Sequence, residues 1–325
     1  MTTTEGKHAS GVASRLERFD RWQQHRSWTA VPLAVVKKFS EDQSTNLASM
    51  VAFWAFFSIF PLLLVLVTLL AYVIPSASTK AQVLQNVSSF LPLLDPSTVQ
   101  TLSGSWWTLL VGVFTALWSG LAVVKTLQTA FNSAWEIPFV QRPKFVEKLK
   151  RSALVLATVG VGLVVSTVIS GYVTGTATGI NLGWFGRLIG YVIAIALDVG
   201  LFVAAFRMLT DREITSRDVL PGALFAGCVF WVLQQLSSFI ISRHLQSAQS
   251  TYGHFATVIT MLWWFYLQGQ VTLLGAQLNV VLKKRLWPRS LIGGPDTEAD
   301  HRVYEAYAEE RTYHETEDVD TSFRQ

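Results

Sequence analysis

SMVAFWAFFSIFPLLLVLVTLL, residues Ser49–Leu70, contains no charged side chain. A helix rises about 1.5 Å per residue, so roughly 20 apolar residues cross the hydrocarbon core of a bilayer. The uncharged run extends on both sides, from Leu47 to Ile74, and is long for one crossing. Pro61 lies near its middle, where the missing backbone donor predicts a kink or a tilt. Five further stretches read the same way: Trp106–Phe131, Ser152–Gly175, Arg187–Met208, Val219–Ser242 and Phe255–Leu282. The expected fold class is all-α, a polytopic membrane protein with six transmembrane helices, interfacial amphipathic helices and both termini cytoplasmic.

Composition supports a membrane class. Half of the 325 residues are hydrophobic and 15% are charged, against about 25% charged in a soluble domain. That excludes a disordered chain, and the lone cysteine, Cys228, excludes an intramolecular disulfide or a cysteine-based metal cluster. The N-terminus is polar for more than forty residues, the wrong shape for a cleaved signal peptide, so the first apolar segment is expected to stay as an anchor.

Lysine and arginine set the orientation. With both ends inside, 22 of the 26 basic residues lie on the cytoplasmic side, three (Lys80, Arg187 and Arg243) lie outside, and Lys125 is within a segment. Three regions follow: a cytoplasmic amphipathic N-terminal region, 1–46; a transmembrane domain, 47–285; and an acidic tail, 286–325, expected to be disordered or loosely helical. From Asp296 onward the tail carries ten acidic and three basic residues. The basic face is expected to attract anionic lipid headgroups as partners. The same charges are those topology demands, so no nucleic-acid partner is expected. A homo-oligomer and a protein partner for the acidic tail stay open.

Val12, Leu16, Phe19 and Trp22 recur at helical spacing among arginines, which suits a helix lying on the cytoplasmic leaflet. Phe145 and Leu149 repeat the pattern beside Lys144, Lys148 and Lys150. Outside, Thr79–Ser103 reads as short interfacial helices broken by Pro92 and Pro96. Gly171, Gly175, Gly179 and Gly183 recur every four residues, a spacing that allows close helix approach.

Polar groups inside apolar segments are the leads to function. Asp198 sits halfway along the fourth segment, Gln234 and Gln235 lie at similar depth on the fifth, and Gln268 and Gln270 on the sixth. Together they read either as a substrate or proton path or as a hydrogen-bonded layer that holds helices together, with Asp198 protonated. Lys125, near a cytoplasmic end, can snorkel, and Gln277 and Asn279 reach the same space. The six histidines form no metal-ligand pair, and no hydrolase elbow or phosphate loop is present, so no cofactor, metal or catalytic residue is expected. His244 and His254 flank one outer loop and read as surface residues.

Several ordered stretches resemble one family. AFFSIFPLLL in the first segment, LWSGLAVVKTLQTAFNSAW at Leu117–Trp135 and the RPKF of Arg142–Phe145 are similar to the YihY/BrkB membrane proteins. So are LPGALFAGCVFWVL at Leu220–Leu233, YGHFATVITMLWWFYL and LLGAQLN, ending at Asn279. The resemblance covers Leu33 to Arg285 and implies a six-helix plasma-membrane protein without a settled activity. Members have been labelled ribonuclease BN or virulence factors, and transport is suspected; nothing in these residues supports the ribonuclease label. The resemblance implies glutamate where this chain has Gln277. The reading is an integral plasma-membrane transporter or translocator of an amphiphilic, lipid-like or anionic substrate. The alternative is a non-transporting envelope scaffold or lipid-organising protein.

Overall fold

The computed structural model describes residues 18–73, 106–143, 145–173, 183–253, 255–291 and 297–323. The Thr79–Ser103 connector, Val12, Leu16, Lys144, Gly175, Gly179 and His254 lie outside the described residues. After a helical stretch at 18–24, eight α-helices follow among the described residues. They are α1 (Ser27–Glu41), α2 (Ser44–Val73), α3 (Trp106–Ala134), α4 (Phe145–Val173), α5 (Gly183–Leu209), α6 (Ser216–Tyr252), α7 (Phe255–Lys284) and α8 (Glu298–Glu310). α2 continues through Pro61.

Helix starts follow local chemistry. At the start of α6 the Asp218 carboxylate reaches back to Thr215, accepting from its backbone N–H at 3.2 Å and from its hydroxyl at 2.7 Å. Thr297 caps α8 in the usual way, its side chain accepting from the Asp300 N–H at 3.1 Å.

The six long helices close a ring. α2 packs on α3, α3 on α4, α4 on α5, α5 on α6, α6 on α7 and α7 back on α2, with α1 against α7. The tightest crossing is α6 on α7. A Cβ added at Gly222 would stand 2.0 Å from the Gly275 carbonyl oxygen, so only glycine allows this approach. The Gly222 N–H donates to the Asn279 side-chain oxygen at 2.6 Å across the same contact.

The core sits at one end of the ring. Phe131, Ala134 and Trp135 from α3 and its exit, Phe206 and Leu209 from α5, Val219 and Ala223 from α6, and Val280 and Val281 from α7 are buried together. Away from that end large apolar side chains face outward, among them Phe114, Trp184 and Phe255, each more than 70% exposed. Such exposure suits hydrocarbon rather than water.

The expectation of six transmembrane helices is corrected to four. Among the described residues, the helices long and apolar enough to cross a membrane run over Ser44–Leu62, Leu109–Ala134, Trp184–Leu209 and Ser216–Ser237. α7 falls short because Gln268 and Gln270, with Trp263, Trp264 and Tyr266, lower its mean hydropathy. α4 begins with two turns carrying Glu147, Lys148, Lys150 and Arg151, and beyond residue 162 its side chains lie outside the described residues.

Candidate functional site

Three helices end in a left-handed residue at the core end of the ring. Gln43 (φ 51°), Glu136 (φ 46°) and Arg285 (φ 52°) follow α1, α3 and α7, and none is glycine. Each such position costs of order 1 kcal/mol or more, so the surroundings must hold it in place. What surrounds them is a network of buried charge.

Its centre is Lys38, on the last turn of α1, with a fully buried side chain. The ammonium contacts Asp42 Oδ2 at 3.0 Å and one oxygen of Glu136. The other Glu136 oxygen meets Lys284, which also donates to the Trp135 carbonyl at 2.9 Å. Burial alone would lower the Lys38 pKa, but Glu136 and Asp42 outweigh it and hold the ammonium charged. Burial pushes the Asp42 carboxyl up, against the opposing pull of Lys38, Tyr307 and Gln277. The Tyr307 hydroxyl donates to Asp42 Oδ1 at 2.5 Å, and Gln277 Nε2 donates to Asp42 Oδ2 at 2.5 Å and to Ser44 Oγ at 3.2 Å. Burial and the neighbouring Asp42 push the Tyr307 phenol far up, so it stays a neutral donor.

A second limb surrounds Arg289. Its guanidinium forks onto Glu41 at 2.6 and 3.2 Å and donates through Nε to Asp300 at 2.7 Å. Lys37 reaches the same Asp300 oxygen at 2.9 Å. Burial works against the Asp300 carboxylate, yet the Ser290 N–H, Lys37, Arg289 and Thr297 together hold it below the usual range. A third limb joins α3, α4 and α5: Asp211 accepts from Arg151 at 2.7 Å and from Asn132 at 2.5 Å.

Beside this network lies a cavity of about 480 Å³ between α2, α3 and α4. Leu47, Met50, Trp54, Trp118, Leu121 and Leu149 make its apolar wall, with Trp54 and Trp118 edge to face at 5.7 Å. Lys125 and Lys148 supply its charge, beside Thr126, Thr129 and Ser152. Neither lysine makes an ion pair among the described residues. Burial lowers the Lys148 pKa; Asp211 opposes this, and Lys125 and Arg142 add to it. Ser152 donates to Gln128 Oε1 at 3.1 Å, and the Gln128 amide nitrogen is buried without a partner among the described residues. Two cations and an aromatic wall suit an anionic head on an apolar body.

A second cavity, of about 750 Å³, opens where α8 meets α2, lined by Glu41, Asp42, Tyr307 and Glu310. The two cavities share Leu47 and Met50.

The polar residues singled out from the sequence are distributed unequally. Lys125 lines the first cavity. Gln277 and Asn279 are both buried, Gln277 within the charge network and Asn279 at the α6–α7 crossing. Asp198 is buried on α5. Gln268 and Gln270 are half-buried on α7, with Gln270 donating to the Tyr266 hydroxyl at 2.6 Å, while Gln234 and Gln235 are exposed on α6. As an amide, Gln277 donates to Asp42; a carboxylate there would face it as a like charge and need a proton.

Sequence reasoning missed Lys38, Asp42, Glu136, Arg289, Asp300 and Tyr307, treating the basic residues as topology signals and the acids as a tail. The signals present were the i, i+4 pairs Lys37–Glu41 and Lys38–Asp42 and the Thr297/Asp300 cap.

Fold and site define a class: an all-α, multi-pass membrane protein with one end of its bundle locked by buried ion pairs. The "Virulence factor BrkB" family matches residues 35–298, and the chain belongs to this YihY/BrkB (UPF0761) family of uncharacterised membrane proteins. The chain is 26% identical over 272 residues to YfkH of Bacillus subtilis, whose name describes it as ribonuclease-like; the match covers 76% of this chain and 93% of that one. A UPF0761 membrane protein of Acinetobacter baylyi is 21% identical, covering 79% of this chain and 63% of the relative. Another, from Aliivibrio salmonicida, is 23% identical, covering 79% and 84%. No solved structure matches the chain.

Proposed function

We propose that the protein is a transporter or translocator of an amphiphilic, anionic substrate in the plasma membrane, with both termini in the cytoplasm. The observation that carries this reading is the cavity between α2, α3 and α4. Lys125 and Lys148 face it without ion-pair partners, and its wall is aromatic and aliphatic. An anionic headgroup would satisfy both ammonium groups, while an acyl chain lay along Trp54 and Trp118. Asp198, buried on α5, and the half-buried Gln268 and Gln270 on α7 are proposed as further polar groups of the substrate path. The reading assigns the chain no catalytic step, and the ribonuclease-like name of one relative stays with that relative.

A non-transporting scaffold that docks partners through its acidic tail is the less favoured reading. α8 is folded back on the bundle, and its Asp300 and Glu310 are already bonded, to Arg289 and Arg142.

The test is transbilayer movement of a fluorescent phosphatidylglycerol analogue in proteoliposomes. A phosphatidylcholine analogue serves as the uncharged-net comparison. The intact chain should move the anionic lipid faster, and Lys125→Gln with Lys148→Gln should abolish the difference while the protein stays folded. Equal movement of both lipids, or an undiminished rate in the double variant, would overturn the assignment.

A further inference from the structure

The helical stretch at 18–24 has two unlike sides. On one side Asp20 and Gln23 are buried. Asp20 accepts from the Leu291 N–H at 3.1 Å and the Ser290 hydroxyl at 3.3 Å, and Gln23 donates to the Arg289 carbonyl at 2.9 Å. On the other side Phe19 and Trp22 are 48% and 41% exposed, and Trp28, at the start of α1, is 68% exposed. The three rings form one cluster: Phe19 and Trp22 stack at 5.8 Å, and Trp22 and Trp28 meet edge to face at 6.1 Å. The Arg26 guanidinium lies 4.9 Å from the centre of the Trp22 ring, and Arg18, Arg21 and Arg26 are all exposed.

Because the polar side is bonded down, the aromatic side cannot turn inward without breaking Asp20 and Gln23 from segment 289–291. Tryptophan beside arginine is the chemistry of the headgroup layer, where the ring body is apolar, its N–H stays wet and the guanidinium meets phosphate. The one acid of the stretch, Asp20, is turned away, so the exposed side is cationic. The candidate span Ser44–Leu62 begins one short helix later, and α1, with 15 residues, is roughly 22 Å long. A headgroup layer is therefore within reach.

We propose that Phe19, Trp22 and Trp28, with Arg21 and Arg26, form a surface anchor that seats in an anionic lipid leaflet. Through Asp20 and Gln23 the anchor ties segment 289–291, and with it the Arg289 limb of the charge network, to that leaflet. It is separate from the Lys125–Lys148 cavity and stands whether or not that cavity carries substrate.

The experiment uses the full chain with Cys228→Ser and Ser27→Cys, the new thiol carrying an environment-sensitive fluorophore between Trp22 and Trp28. Quenching by an aqueous reagent is compared in nanodiscs of phosphatidylcholine alone and of phosphatidylcholine mixed with phosphatidylglycerol. Quenching should fall in the anionic discs and return at high salt. Arg21→Gln and Arg26→Gln should each weaken the protection roughly fivefold. Trp22→Ala with Trp28→Ala should remove it. Protection that is the same in both lipids and in detergent would show that protein covers the patch, whether residues 1–17 or a second copy, and would overturn the proposal. So would a label that stays open to water in anionic discs. The lipid and salt comparison on the labelled parent decides the matter even if a patch variant fails to fold.

Discussion

Arg289 shows how much one residue holds at the core end. Its fully buried guanidinium faces Glu41 and Asp300 at once. Removing it takes the guanidinium from two carboxylates at once, and breaking a buried pair typically costs about 3–5 kcal/mol. Arg289→Met should therefore lower the thermal midpoint in nanodiscs by far more than Lys283→Ala does. Lys283 pairs with Asp218 at 2.6 Å but its side chain is 52% exposed, and such pairs are worth about 1 kcal/mol or less. Equal shifts in the two variants would show that the Arg289 limb is not held together as described. Lys125 could be singled out from the sequence because a charge in an apolar run stands out. Lys38 is harder to single out: the Lys38–Asp42 spacing marks a helix pair, but its burial depends on Glu136 and Tyr307, far away in the chain. Periodicity reports which face of a helix is apolar, and says nothing about which distant acid will meet a given base.

At the scale of elements, the α6–α7 crossing and α8 carry separate expectations. Gly222→Ala places a methyl against the Gly275 carbonyl, a backbone atom that cannot swing aside. The helices must separate, at about 1–3 kcal/mol, and the Gly222–Asn279 hydrogen bond should be lost with them. A thermal midpoint unchanged by this substitution would contradict the close approach. For α8 the sign of the pH dependence follows from Asp300, whose folded pKa lies below its ordinary value. The stabilisation it gives is complete above about pH 4 and is lost as pH falls through the lower, folded value. Glu310 acts oppositely: burial raises its pKa, so the folded state takes up that proton more readily than the unfolded chain. Protection of 298–310 against hydrogen exchange, measured relative to the intrinsic rate at each pH, should fall below about pH 4. In Asp300→Asn it should be low already at neutral pH, and unchanged protection in that variant would remove Asp300 from its docking role. The sequence placed the long helices through their apolar runs. The docking of α8 was harder to read, because its apolar stripe is short, Ala299, Val303 and Tyr307 at every fourth position within an acidic segment, and its burial depends on distant partners.

For the whole molecule, the proposed arrangement puts both chain ends on one side of the membrane, a reading that the lysine and arginine bias and the contact of segments 20–23 with 289–291 support. Reporter fusions at residue 1 and residue 325 should both be active only in their cytoplasmic form; opposite results at the two ends would refute this arrangement. The all-α membrane class was legible from composition, and the family from ordered motifs. The number of crossing helices was not. α7 looks like a span by length, yet it packs on α2, α6 and α1, and Gln270 and Gln277 donate to Tyr266 and Asp42. An apolar run is sufficient evidence for a greasy helix and insufficient evidence for its surroundings.

The charge network also fixes an order of events during synthesis. Lys38 and Asp42 leave the ribosome early, while the Gln277 and Tyr307 donors lie 235 and 265 residues further on. Until those arrive, the Asp42 carboxylate has Lys38 and no hydroxyl or amide to complete its shell, and water must serve in their place. The end of the bundle that holds the core therefore closes last. A chain halted after α7 would have its apolar helices in place and its lock still open.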